Sequence, residues 1–310
     1  MPSPHFGYLE ASVVGLFQGV SELFPISSLG HSILIPALVG GSWARDLDVS
    51  SQESPYLAFI VGMHVATALA LVLYFWRDWV RIVSGLFTSV VRREIRTPDQ
   101  RLAWLLILGT IPVGIIGLLF EHTFRTKFGT PLSAAIFLMV NGLILFGGEY
   151  LRRRAPGSEG YAMATVAVAK SDDSERDVAS DHRLAGLSIK DTLFVGSAQI
   201  GALFSGISRS GIAMTAGLLR GLSHEDAARF SFLLATPVIL AAGVFKVPDL
   251  TGPLGDGVRG QILIGSILSG VGAYLAVRFL DRYFQTKTLT PFAIYCLLAG
   301  LACTIRFGVF

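Results

Sequence analysis

Six apolar segments, each about as long as a membrane is thick, constrain the fold of this chain more than any other feature. They lie at about 56–76, 103–120, 131–150, 230–247, 261–280 and 289–307. A helix of roughly 20 apolar residues spans the hydrocarbon core of a bilayer. The composition agrees, because 52% of the residues are hydrophobic and only 15% are charged, whereas charged residues approach a quarter of a soluble domain. Since lipid-exposed backbone must satisfy its hydrogen bonds within its own segment, the sequence predicts an all-α polytopic membrane protein.

Two further apolar segments are interrupted near their middle by polar and helix-breaking residues. Segment 8–38 is broken around Pro25 and Gly30, and segment 191–222 is broken at 205–211. Irregular backbone is tolerated at membrane depth only where protein or a water-filled cavity surrounds it. We therefore predict that each segment is a re-entrant helical hairpin, in which two half-helices meet at a polar turn.

A displacement of 181 positions aligns the two broken segments and indicates an internal repeat. The matched pairs are Gln18 and Gln199, Ile26 and Ile207, Ser27 and Ser208, Gly30 and Gly211, Leu38 and Leu219, and Gly40 and Gly221. Each copy holds one hairpin and three spans, so we predict repeats at 1–150 and 191–310, joined by a loop at 151–190. Because three spans are an odd number, the second copy is predicted to be inverted. The broken helices of inverted repeats meet near the bilayer midplane.

The positions of lysine and arginine predict the orientation, because cytoplasmic loops are enriched in these residues. With the N-terminus outside, the inner loops carry Arg77, Arg81, Arg92, Arg93, Arg96, Arg101, Arg152, Arg153, Arg154, Lys170, Arg176, Arg183, Lys190, Arg278, Arg282 and Lys287. The outer loops carry Arg45, Arg125, Lys127 and Arg259. We therefore expect both termini to lie outside the cell.

The central segment 151–190 is polar and contains an acidic run at 172–177. Its low hydrophobicity is typical of a segment that buries little apolar surface. We predict a flexible cytoplasmic loop, and a short amphipathic surface helix is the alternative.

The second hairpin places a positive charge inside an apolar segment. Arg209 stands between Ser208 and Ser210, with Gly206 and Gly211 on either side. An arginine offers a fixed fork of donors that suits phosphate oxygens, and a half-helix that starts here would aim its positive end at an anion. We interpret this hairpin as a phosphate-binding site. The alternative is an arginine that only extends to the inner interface, which requires neither the glycines nor the serines.

The first hairpin supplies groups of complementary chemistry. Gln18 and Glu22 share a face if they lie on a helix, because they are four residues apart. The Glu22 carboxylate could bind magnesium or calcium, or act as a base. Ser28 and His31 could meet on one turn as an activated nucleophile, with a buried structural histidine as the alternative. His64, in the first full span, is interpreted as a helix-contact residue, with a supporting role behind the site as the alternative.

These stretches resemble the motifs of the undecaprenyl-diphosphate phosphatase family, also called the bacitracin-resistance family. The run Gln18-Gly-Val-Ser-Glu22 is similar to its (Glu/Gln)-x-x-x-Glu motif, and Phe24-Pro-Ile-Ser-Ser-Leu-Gly-His31 is similar to the adjoining Pro-x-Ser-Ser-x-Gly-His. Gly206-Ile-Ser-Arg-Ser-Gly211 is similar to the core of its Pro-Gly-x-Ser-Arg-Ser motif. The resemblance covers nearly the whole chain outside the central loop.

The resemblance implies a hydrolase of the bacterial plasma membrane that converts undecaprenyl diphosphate to the monophosphate on the outer face. This reaction recycles the lipid carrier of peptidoglycan synthesis and is associated with bacitracin resistance. The implied catalytic residues are Glu22, Ser28, His31 and Arg209. A magnesium or calcium ion would assist, with Glu22 as its ligand. The expected partners are the polyprenyl diphosphate and membrane lipids, with no nucleic acid, and members of the family are often homodimers.

We predict that seven further residues contact the phosphate groups. They are Gln18, Ser27, Gly206, Ser208, Ser210, Gly211 and Thr215. The chain departs from the family motif at Ser205, where a proline is usual, and at Ala213, where a threonine is usual. One hydroxyl donor to the phosphate is therefore missing or supplied differently.

A transporter is the rival function, because broken helices that meet at a midplane site are also typical of transporters. Such a protein would carry polyprenyl phosphate across the bilayer with weak or no hydrolysis. Release of inorganic phosphate distinguishes the two functions.

Overall fold

The computed structural model describes residues 7–47, 55–154, 173–251 and 257–309. Every regular element in these ranges is a helix, and the ranges contain no strand. The helices are α1 (Tyr8–Leu23), α2 (Ser28–Val39), α3 (Gly41–Asp46), α4 (Pro55–Tyr74), α5 (Trp76–Arg92), α6 (Pro98–Phe128), α7 (Pro131–Arg154), α8 (Asp173–Ala185), α9 (Ile189–Ala198), a 3₁₀ helix (Gln199–Leu203), α10 (Arg209–Leu219), α11 (His224–Thr251), α12 (Arg259–Tyr283) and α13 (Thr290–Val309).

Five helices in the described ranges are long and apolar enough to cross a membrane, namely α6, α7, α11, α12 and α13. Helices α4 and α5 together would make a sixth span, but they are bent by 89°. The chain is therefore an all-α, multi-pass membrane protein, as the apolar segments predict.

Both interrupted segments form two helical pieces around a short irregular stretch. Ser27 precedes α2 with a positive φ of 68°, and its hydroxyl accepts from the Gly30 N–H at 3.2 Å. Ser208 precedes α10, and its hydroxyl accepts from the Gly211 N–H at 3.1 Å. These two serines are a matched pair in the internal repeat, so equivalent positions have the same helix cap. The inversion of the second copy stays a prediction.

Small residues bring the broken segments and the long helices close together. Gly15 and Gly19 of α1 lie directly against the backbone of Gly265 and Ser269 in α12, so that a Cβ on either glycine would overlap it. Glycine and serine at this spacing permit close approach of helix backbones in membrane proteins. The packing fixes α1, whose last turn carries Glu22, against the long helix α12.

The segment predicted as a flexible loop at 151–190 is helical over part of its length, which corrects that prediction. Helix α7 extends to Arg154, and residues 155–172 lie outside the described ranges. Helix α8 follows, and its residues Ser180 and Asp181 are buried. Two acidic residues of α8, Asp177 and Asp181, pair with cationic side chains of other helices.

Arg229 of α11 is the centre of this pairing, and its side chain is only 2% exposed. Its guanidinium lies 2.9 Å from Asp181, 2.7 Å from Asp177 and 2.9 Å from Asp78. Arg81 bridges Asp78 and Asp181 at 2.6 Å each. Two guanidinium groups thus join three helices through carboxylates, which compensates for the burial of these charges.

Candidate active site

The Glu22 carboxylate, in the last turn of α1, is the centre of a buried polar cluster. Its Oε1 accepts from the Arg209 guanidinium Nη2 at 2.9 Å. Its Oε2 accepts from the Ser28 hydroxyl and from the Gln18 side-chain amide, the latter at 3.1 Å. The His64 Nε2 lies 3.3 Å from the same oxygen. The acidic and the cationic hairpin therefore meet directly, as the repeat predicts.

Ser28 and Arg209 occupy equivalent positions, since they are 181 residues apart. Ser28 is the first residue of α2, and Arg209 is the first residue of α10. Both side chains contact Glu22. Because the N-terminus of a helix carries a partial positive charge, two helix ends favour negative charge at this point.

Arg209 keeps part of its guanidinium unpaired. Its side chain is 13% exposed, and its Nη1 is buried without a hydrogen-bond partner among the described residues. A buried donor without a partner costs about 1–3 kcal/mol, which is tolerated where a ligand satisfies it. Phosphate oxygens suit a guanidinium at a helix N-terminus.

His31 is held by two hydrogen bonds that fix its tautomer. Its Nδ1 lies 2.8 Å from the Ser27 carbonyl oxygen, which can only accept, so Nδ1 carries the proton. In the neutral ring Nε2 is therefore an acceptor, and the Tyr295 hydroxyl donates to it at 2.7 Å. The two rings also stack, with centroids 5.7 Å apart.

The predicted contact between Ser28 and His31 is not what the structure shows. The Ser28 hydroxyl at the start of α2 turns back to the Glu22 carboxylate. Both ring nitrogens of His31 are engaged with Ser27 and Tyr295. The group beside the Ser28 hydroxyl is therefore the Glu22 carboxylate and not the His31 imidazole.

The remaining serines of the second hairpin join the two breaks. The Ser210 hydroxyl donates to the Phe24 carbonyl oxygen at 3.2 Å, and the Ser208 hydroxyl lies 3.0 Å from that of Ser210. Asn141 of α7 donates to the Pro25 carbonyl oxygen and accepts from the Ser208 N–H, both at 3.0 Å. Roles for Ser208 and Ser210 in phosphate binding stay predictions.

The glycines of the motifs meet a packing requirement. Gly206 has a positive φ of 118°, and an added Cβ would come within 2.8 Å of the Leu138 nitrogen in α7. A Cβ on Gly30 would lie 2.9 Å from the Gly206 Cα, so the hairpins touch at these glycines. The Gly211 N–H is bonded to the cap serine. A phosphate-binding role for Gly206 and Gly211 stays a prediction.

Two of the seven residues predicted to contact phosphate, Gln18 and Thr215, differ in their position relative to the Glu22 cluster. Gln18 is part of the cluster, and its side-chain oxygen accepts from the Ser32 hydroxyl at 3.3 Å. Thr215 lies six residues beyond Arg209, or about 9 Å of helix rise, and packs against Gly148 of α7. The structure does not bring Thr215 to the Glu22 cluster.

Two residues of the site were ranked low or missed from sequence. His64, interpreted mainly as a helix contact, donates from Nδ1 to the Ile60 carbonyl oxygen at 2.8 Å and turns Nε2 toward Glu22. The sequence signal for His64 is an imidazole inside an apolar span, where an ionisable side chain is unfavourable in free energy. Tyr295 carries no such signal, because a tyrosine in an apolar helix is common.

The side chains available as metal ligands bear on the prediction of a divalent cation. No group of three or more His, Cys, Asp or Glu side chains in the described part of the chain is placed to hold a metal ion. Glu22 therefore does not fit a cation held only by protein groups. A magnesium ion that takes one carboxylate and fills its other positions with substrate phosphates and water stays a prediction.

Comparison with known proteins agrees with the resemblance of the motifs. The model of the family described as bacitracin resistance protein BacA matches residues 11–302. A protein of Mycolicibacterium paratuberculosis named undecaprenyl-diphosphatase is 64% identical over 96% of this chain and 96% of its own length. The undecaprenyl-diphosphatase 1 of Frankia casuarinae is 53% identical over 98% and 99%. The undecaprenyl-diphosphatase 2 of Burkholderia orbicola is 40% identical over 94% and 93%. The chain therefore belongs to the bacitracin resistance protein BacA family.

Proposed function

We propose that this chain is a membrane phosphatase that hydrolyses undecaprenyl diphosphate to undecaprenyl phosphate and inorganic phosphate. The names of its relatives support this substrate and this reaction. The observation that carries the proposal is the contact of Glu22 with both Ser28 and Arg209, inside a bundle of apolar helices. A carboxylate, a hydroxyl and a guanidinium together supply a base, a nucleophile and a phosphate ligand.

The diphosphate binds at the start of α10. Arg209 Nη1 has no partner among the described residues, so it can donate to a phosphate oxygen without breaking its bond to Glu22. The N-termini of α2 and α10 add partial positive charge. Stabilising charge at the transferring phosphorus is the main catalytic task in phosphoryl transfer, and it is most effective where water is excluded. The polyprenyl tail lies among the apolar helices.

The Ser28 oxygen attacks the terminal phosphorus, and its proton passes to the Glu22 carboxylate. The bond from phosphorus to the bridging oxygen breaks, and undecaprenyl phosphate leaves. A water molecule then attacks the phosphoserine while Glu22 returns its proton to the Ser28 oxygen, which restores the hydroxyl and releases inorganic phosphate. The Tyr295 hydroxyl turns away from the Nε2 of His31, which is an acceptor because Nδ1 is bonded to Ser27, and Nε2 receives a proton of that water. Direct attack by water, with Glu22 or His31 as the base, is the alternative route.

Glu22 would hold a magnesium or calcium ion, which would supply positive charge to neutralise the diphosphate. The site opens to the outer face of the bacterial plasma membrane, and both termini lie outside. The distribution of lysine and arginine supports this orientation. In that setting the reaction recycles the lipid carrier of peptidoglycan synthesis.

The test is the release of inorganic phosphate by the purified protein, reconstituted in vesicles with a polyprenyl diphosphate and magnesium. We expect release that ceases when the cation is chelated. The meeting of two broken segments at one centre also favours a transporter of polyprenyl phosphate. Transfer of labelled polyprenyl phosphate between leaflets without phosphate release would establish the transporter and refute the enzyme.

A further inference from the structure

A groove of about 750 Å³ lies away from the Glu22 cluster, between the start of α6, the end of α8 and the start of α9. We call it the inner groove, because the charge distribution predicts this side to be cytoplasmic. Its principal lining residues are Arg96, Arg101, Trp104, Leu105, His182 and Ile189. A volume of this size is within the range of pockets that bind small molecules, roughly 300–1,000 Å³.

The polar side of the groove is cationic. Arg96, Arg101 and His182 line it, and none of its lining residues in the described structure is an aspartate or glutamate. The Arg101 guanidinium donates to the Leu187 carbonyl oxygen at 3.1 Å, which holds it at the groove. Arg96 pairs with Glu94, which lies outside the lining, at 2.8 Å. The groove therefore favours a ligand with at least one negative charge.

The other side of the groove is apolar and begins where α6 enters its apolar span. Trp104, Leu105, Leu108 and Ile189 form this side. The Trp104 Nε1 donates to the Ser89 hydroxyl at 2.9 Å, so the indole is fixed. Tryptophan is enriched where membrane proteins cross from headgroups to hydrocarbon. The ligand must combine an anionic end with an apolar end.

Helix α5 gives independent evidence that the groove lies at the level of the headgroups. It is bent by 89° from α4. Its exposed face carries an apolar stripe, which comprises Trp76, Val80, Val83, Phe87 and Val91. A helix with such a face lies in the plane of the membrane surface, with the stripe in the acyl chains. Since Ser89 of α5 accepts from Trp104 in the groove, the groove lies at the same depth as α5.

We propose that the inner groove binds an anionic phospholipid of the cytoplasmic leaflet. The phosphate contacts Arg96, Arg101 and His182, and the upper acyl chain lies on Trp104 and Leu105. Basic pockets beside membrane-spanning helices on this side bind anionic headgroups in other membrane proteins. The inference does not depend on the proposed hydrolysis, because no residue of the Glu22 cluster lines the groove.

Trp104 provides the test, because the chain has only four tryptophans. A protein with Trp43, Trp76 and Trp79 replaced by phenylalanine is reconstituted in vesicles that contain brominated phosphatidylglycerol or brominated phosphatidylcholine. Bromine quenches tryptophan fluorescence at short range. We expect phosphatidylglycerol to quench Trp104 at least two-fold more strongly at equal mole fraction.

Paired substitutions separate the groove from a general attraction to positive charge. Arg96→Gln with Arg101→Gln should abolish the preference for phosphatidylglycerol. Arg153→Gln with Arg154→Gln removes the same charge from the end of α7, outside the groove, and should preserve it. Both double variants must first elute from a size-exclusion column in detergent at the same volume as the parent protein. Equal quenching by the two lipids in the parent, or a preference that survives in the first variant, would overturn the proposal.

Discussion

Arg209 contacts Glu22 through one guanidinium nitrogen and keeps the other without a partner among the described residues. The same ion pair therefore positions the carboxylate and leaves a donor for the substrate. Four donors or potential donors surround Glu22, namely the side chains of Arg209, Ser28, Gln18 and His64. These contacts orient the carboxylate beside the Ser28 hydroxyl, which is the arrangement for an activated nucleophile.

Replacement of Ser28 and His31 distinguishes the two proposed routes of hydrolysis. Ser28→Ala should lower kcat by roughly 10³-fold or more, because the loss of one member of a nucleophilic unit removes most of the catalysis that the whole unit provides. His31→Ala should instead accumulate a phosphoserine, because the water of the second step loses its base. Acid quenching with substrate labelled at the terminal phosphate, followed by peptide mapping, measures both. A Ser28→Ala protein with near-normal turnover would show that water attacks directly.

Tyr295→Phe tests whether the hydroxyl positions His31. The substitution keeps the ring that stacks on His31 and removes only the hydrogen bond to Nε2. A typical hydrogen bond contributes about 0.5–1.5 kcal/mol, so we expect kcat to fall about 2- to 10-fold with KM unchanged. Tyr274→Phe, whose ring packs on Tyr74, is the matched control. An equal loss in both variants, or a change in KM alone, would remove Tyr295 from this role.

At the scale of elements, close packing of α1 on α12 sets the position of Glu22. Gly19→Ala should destabilise this contact, because the new methyl group overlaps the Ser269 backbone. Overpacking costs about 1–3 kcal/mol, and we expect the midpoint of thermal unfolding in detergent to fall. At Gly147 a Cβ would meet no described atom within 4 Å, so Gly147→Ala should leave the midpoint unchanged or raise it. Equal behaviour of the two variants would contradict the packing.

Helix α8 docks on α11 through charges that respond to pH. Burial, together with the carboxylates of Asp78, Asp281 and Asp181, raises the pKa of Asp177 to about 6 despite the attraction of Arg229. A carboxyl group whose pKa is raised in the docked state favours docking when it is protonated. The gain is therefore fully present below the ordinary aspartate pKa of about 4 and is lost as the pH rises from there through about 6.

Amide hydrogen exchange of α8 measures this dependence. After correction for intrinsic rates, residues 175–185 should be better protected at pH 5.5 than at pH 7.5. Asp177→Asn, which mimics the protonated side chain, should show a smaller difference between the two values. Better protection at the higher pH, or an undiminished difference in the variant, would contradict the account.

For the whole molecule, the broken segments and their meeting were predictable because proline, glycine and serine interrupt apolar runs at matched positions. The pairing of Glu22 with Arg209 followed from the repeat. Helix α5 was not predicted, and a helix at α8 was only the alternative to a flexible loop, because their polar residues look solvated until Arg229 and its partners are brought together. Tyr295 was missed because its hydrogen-bond partner, His31, lies 264 residues away in the chain.

One measurement tests the central claim that both hairpins form a single active site. It compares phosphate release from a polyprenyl diphosphate by the parent protein, Glu22→Gln, Arg209→Ala and the double variant. Each single change should lower kcat/KM by roughly 10²–10³-fold, the loss typical for a group that stabilises the transition state. The kcat/KM of the double variant should be little lower than that of the less active single variant, because the two groups act as a unit. Full activity of either single variant, or losses that multiply in the double variant, would contradict the account.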